Sequence, residues 1–72
     1  MKRTFKMEEL CCANCAAKME TAINKLEDVD TAVINFMSQR ITIVADEEKF
    51  NDVVDEAQKI ITKIEKHCKI IR

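Results

Sequence analysis

The chain has no glycine, proline, tryptophan or tyrosine. Without glycine and proline the usual punctuation of turns is missing. Element boundaries must therefore be read from Asn, Asp and Ser and from changes of hydrophobic period. Aromatic side chains are reduced to Phe5, Phe36 and Phe50, too few and too scattered for a base-stacking surface. Excess charge is absent too: 12 basic residues face 13 acidic ones, a formal net charge of −1. A nucleic-acid binder normally carries a basic excess concentrated on one face, so that class is set aside. Apolar runs reach only three or four residues, against the roughly 20 that a membrane-spanning helix needs. Met1 to Lys6 has the positive charge of a signal peptide but no apolar segment behind it. These absences together point to the cytosol, with no membrane insertion of this segment.

What is present is a 47% apolar chain of 72 residues, read as one domain over residues 1–72 with a small core. Residues 3–9 alternate around Phe5 and Met7, as a half-buried strand does. From Asn14 the apolar positions Cys15, Met19, Ala22, Ile23 and Leu26 recur at three and four, which predicts a helix with Asn14 as its cap. Val29 to Phe36 alternates again, placing Ala32, Ile34 and Phe36 on one side. Met37-Ser38-Gln39 reads as a turn, and Arg40 to Ala45 as a β-branched strand returning from it. The acidic stretch Asp46-Glu47-Glu48 suits the start of a second helix. Its stripe is Phe50, Val53, Val54, Ala57, Ile60, Ile61 and Ile64. Cys68 to Arg72 reads as a last short strand. The order βαββαβ implies an α+β fold, a four-stranded antiparallel sheet with both helices on one face. Thr4, Lys6, Glu8, Arg40 and Thr42 would then face solvent on the other.

The chemistry lies in the cysteines. Cys11, Cys12 and Cys15 cluster where the first strand ends and the first helix begins, while Cys68 stands near the other end. In a reducing compartment such a cluster is a metal or redox site rather than a structural disulfide. The Cys-x-x-Cys spacing of Cys12 and Cys15 lets two sulfurs converge, and a helix N-terminus favours their thiolates. Thiolates suit Cu(I), Zn(II) and other thiophilic ions. Rival readings exist. A thiol–disulfide oxidoreductase uses the same motif, but the chain lacks the proline for a cis-proline platform and the tryptophan before the motif. A structural zinc site completed by His67 and Cys68 would need a spacing far longer than a zinc finger's. Simple burial could account for Cys15, but hardly for three cysteines in one short run.

The run Leu10-Cys11-Cys12-Ala13-Asn14-Cys15-Ala16-Ala17-Lys18-Met19-Glu20, with Val29 to Phe36 and Arg40 to Ile43 as a central hairpin, resembles the heavy-metal-associated domain. That module is shared by small copper chaperones and the N-terminal regions of metal-transporting P-type ATPases, and the likeness covers essentially the whole chain. It implies the ferredoxin-like βαββαβ fold and Cys12 and Cys15 as the two metal ligands. Glu9 stands where the family usually has Gly, and Leu10 where it often has Met as a packing residue. Cys11 is the informative departure. Copper members commonly carry a small hydroxyl residue there, whereas members attached to zinc, cadmium and lead pumps often carry an acidic residue or a second Cys. A possible third ligand at Cys11 favours Zn(II), Cd(II) or Pb(II) over Cu(I).

In this fold His67 and Cys68 would lie at the metal-loop end, as auxiliary ligands or, more simply, as a solvated loop residue and an inward strand residue. The expected protein is a monomeric, non-catalytic metal-transfer module. It would be the cytosolic N-terminal domain of a heavy-metal-exporting ATPase, working with that ATPase in cis or a metallochaperone in trans. The alternative is a free-standing metallochaperone, including one for Cu(I).

Overall fold

The computed structural model describes residues 1–10 and 12–72. Its elements are β1 (Lys2–Glu8), α1 (Ala13–Asn24), β2 (Val29–Asn35), β3 (Arg40–Ala45), α2 (Phe50–Ile64) and β4 (Lys69–Ile71), with a 3-10 turn at Glu47–Lys49 leading into α2. The sheet order is β2-β3-β1-β4, and every pairing is antiparallel. Two strand–helix–strand units therefore interlock, each holding a strand of the other between its own two. This is the expected ferredoxin-like fold. Among the described residues no helix is long and apolar enough to cross a membrane.

The core is one apolar layer. Phe5, Met7, Ile41, Ile43 and Ala45 point inward from the sheet, and Met19, Ile23, Val53, Val54, Ala57 and Ile61 meet them from the helices. The opposite sheet face carries Thr4, Lys6, Glu8, Arg40 and Thr42 toward solvent, with the Thr4 and Thr42 hydroxyls 3.0 Å apart in a cross-strand hydrogen bond. β2 departs from simple alternation. Val29 pairs with Ala45 but Thr31 pairs with Val44, so Asp30 is an extra residue in a bulge. The bulge lets Val29 and Ala32, three residues apart, both turn inward.

The capping expectation at α1 needs correction. Asn14 is exposed inside the first turn, and Cys12 holds the cap position with extended backbone (φ −140°, ψ 126°) and no side-chain capping hydrogen bond. Asparagine is a strong cap former, but the helix here starts one residue before it. The inward stripe shifts as well: Ala16, Met19 and Ile23 are buried, whereas Cys15 and Ala22 are only half-buried. Cys15 thus sits at the rim of the core rather than in it.

Each edge strand is closed by an amide from the helix packed against it. On α1, the Asn24 side chain donates to the Ala32 carbonyl and accepts from the Ala32 N–H, both at 2.8 Å. The Glu20 carboxylate accepts from the Ile34 N–H at 2.8 Å. On α2, Gln58 accepts from the Ile70 N–H at 2.8 Å and donates to the Cys68 carbonyl at 3.3 Å. These bonds satisfy backbone groups that an open edge would offer to another chain. Asn24→Ala and Gln58→Ala are each expected to lower the unfolding free energy by about 1–2 kcal/mol. Urea denaturation checks this, with the exposed Thr21→Ala on the same helix as Asn24 as a near-neutral control.

Candidate metal centre

Three connections meet at one end of the sheet. β1 runs out at Glu8, opposite Lys69 at the start of β4, and Lys6 pairs with Arg40 at the start of β3. The loop after β1, the turn before β3 and the loop before β4 are therefore neighbours. Leu10, 1% exposed, anchors the first loop in the core and fills the packing role expected of it. Glu9 ahead of it has φ 58°, the left-handed conformation that costs a residue with a Cβ roughly 1–2 kcal/mol. The resemblance to a family with Gly at this position thus has a backbone reason. Gln39, in the turn before β3, is also left-handed (φ 52°).

Cys12 and Cys15 are half-buried at the start of α1. The Cys12 thiol is held below its ordinary pKa, chiefly by the Cys15 backbone N–H, then by the Cys15 side chain and the Asn14 N–H. The Cys15 thiol is pushed above its ordinary pKa, first because it hydrogen-bonds to Cys12 and then by desolvation. Both directions trace to one arrangement, in which the Cys15 S–H and the helix amides donate toward Cys12 and so favour its thiolate form over that of Cys15. The sulfurs are within hydrogen-bonding reach, so a single ion can engage both once the second proton leaves. Two charges modify the pair. The Glu65 carboxylate raises both thiols, and Lys18, one turn into the helix, lowers Cys15.

Glu65 escaped the sequence reading, which considered only His67 and Cys68 in that loop. It follows the last residue of α2, half-buried. The strand register that brings the loop beside the cysteines was the available signal. His67 is exposed, and Cys68 is fully buried in the core. Among the described residues no three His, Cys, Asp or Glu side chains stand close enough to enclose an ion. The structure therefore does not gather His67 or Cys68 with Cys12 and Cys15. Cys11, the expected third ligand, lies outside the described residues.

The sequence profile of the heavy-metal-associated domain matches residues 4–69. The chain belongs to that family. The domain is a soft-metal-binding unit and is not catalytic by itself. Over 70 residues the chain is 24% identical to the cadmium, zinc and cobalt-transporting ATPase of Bacillus subtilis (strain 168), covering 97% of this chain and 10% of that protein. It is 36% identical over 45 residues to a probable cadmium-transporting ATPase of Listeria monocytogenes, covering 62% of this chain and 6% of the relative. The chain thus spans only a small part of either relative's length. Among solved structures, the N-terminal domain of a potential copper-translocating P-type ATPase from Bacillus subtilis, in its Cu(I)-loaded state, superposes with a TM-score of 0.71 at 27% identity. That match covers 96% of this chain and 81% of the other.

The thiol asymmetry of this heavy-metal-associated domain has a direct consequence. Because the thiolate is the nucleophile, iodoacetamide is expected to label Cys12 at lower pH than Cys15. In Cys15→Ala the labelling of Cys12 should move part of the way toward an ordinary thiol's pH range. Peptide mass spectrometry across a pH series reads both; equal titration of the two cysteines would contradict the arrangement.

Proposed function

We propose that the chain acquires a soft divalent ion, Zn(II), Cd(II) or Pb(II) ahead of Cu(I), and passes it on by ligand exchange. The observation that carries this reading is the Cys12–Cys15 pair at the start of α1, with the Cys12 thiol eased toward its thiolate by the Cys15 N–H and by the Cys15 thiol. Cys12 is the first ligand. Cys15 gives up its proton as it becomes the second, and an incoming thiolate or carboxylate later displaces one sulfur at a time. No step then requires a bare ion. Cys11, from its place directly before the pair in sequence, serves as a third donor.

The preference for divalent ions has two supports, the extra cysteine and the Glu65 charge that bears on both thiols. An added thiolate and a carboxylate charge acting on the pair from outside the ligand set suit a divalent ion better than Cu(I), which is content with two sulfurs. The cadmium-transporting relatives accord with this choice, and the copper-loaded structural neighbour marks the alternative. In this reading the chain is the cytosolic N-terminal domain of a heavy-metal-exporting P-type ATPase, receiving or sensing the ion that the pump moves.

Competitive titration of the reduced protein with cadmium, lead and Cu(I) tests the selectivity. Cys11→Ser and Glu65→Gln are each expected to weaken cadmium binding by about tenfold or more, and Cu(I) binding much less. Cadmium and lead affinities unchanged in both variants would contradict the divalent preference. Chelator-treated protein that reduces disulfides at thioredoxin-like rates would overturn metal transfer altogether.

A further inference from the structure

The β2–β3 turn reaches into the metal loop through one side chain. Gln39 Nε2 donates to the Leu10 carbonyl at 3.2 Å, and the Gln39 carbonyl accepts from the Met7 N–H at 2.8 Å. The turn itself is fixed: the Gln39 N–H donates to the Phe36 carbonyl at 3.3 Å, and the Ser38 N–H to the Asn35 side chain at 3.2 Å. Leu10 is thus held twice, by its side chain in the core and by its carbonyl from the turn. That carbonyl lies two residues ahead of Cys12.

The backbone at Gln39 adds a second observation. Its φ of 52° is a conformation that glycine adopts freely and other residues adopt at a cost. A glycine would relieve that strain but could not donate to Leu10. Strain retained beside a site, together with a directed hydrogen bond into it, points to a role for the side chain in the site rather than in the turn. Resting on the metal-binding reading above, we infer that Gln39 is a positioning residue, which fixes the approach of the cysteine loop to the start of α1 and so holds the two thiols ready for one ion.

A pair of variants of the whole chain separates positioning from stability. Gln39→Gly and Gln39→Ala both remove the amide, but only the glycine relieves the backbone. Cadmium affinity by chelator competition, the cadmium release rate and the thermal midpoint are measured for both. The inference predicts affinity lowered about three- to tenfold in both variants alike, the range one hydrogen bond carries, with faster release. The glycine variant should at the same time melt above the alanine variant. Wild-type affinity in both variants would overturn the inference, and so would a loss confined to the less stable alanine variant. Wild-type protein that holds no cadmium would sink the metal reading and this inference with it, whereas intact wild-type binding with unaffected variants sinks only this one.

Discussion

Because β1 pairs antiparallel with β3 on one side and β4 on the other, three connections distant in sequence finish at the same end of the sheet. The metal loop, the turn at Gln39 and the loop carrying Glu65 are brought together by that pairing alone. The inward residues of β1, Phe5 and Met7, tie the strand to the core, and Leu10 extends the anchorage past its end. Loss of β1 would remove both the middle of the sheet and the floor of the site. Cys12 and Cys15 are therefore presented at a helix start whose entry loop is anchored in the core.

That rigidity matters for the proposed transfer. A closed four-ligand site holds an ion for folding, whereas a half-buried dithiol at a helix start leaves room for an incoming donor. The unequal thiols suit such traffic. On the proposed reading Cys12, with its pKa lowered, is the readier ligand, and Cys15, with its pKa raised, is the later one. Glu65 and Lys18 place opposite charges around the pair, so the two thiols are also tuned by residues that contribute no sulfur. The edge locks at Asn24 and Gln58 serve the same end differently, since Gln58 also holds the Cys68 carbonyl and with it the course of the Glu65 loop.

Much of this was legible in the sequence, for physical reasons that differ by residue. The alternation around Phe5 and Met7, the β-branched run from Arg40 to Ala45 and the apolar stripe of α2 carry their periods openly, and the fold follows. The cysteine spacing announced the dithiol. Asn14 misled because its side chain is a strong capping group, while the cap position fell to Cys12. Glu65 and Gln39 stayed hidden because their importance comes from strand register and from a contact between residues far apart in the chain. The departure at Glu9 was visible as an oddity. Only its left-handed backbone shows what a glycine-free chain accepts to make the loop.

The central claim is that one soft ion is held by Cys12 and Cys15 together. X-ray absorption at the cadmium edge, on the reduced protein loaded with one equivalent, tests it most directly. The account predicts a sulfur-dominated shell that loses sulfur in both Cys12→Ser and Cys15→Ser. A shell of oxygen and nitrogen alone, or one indifferent to either substitution, would contradict it.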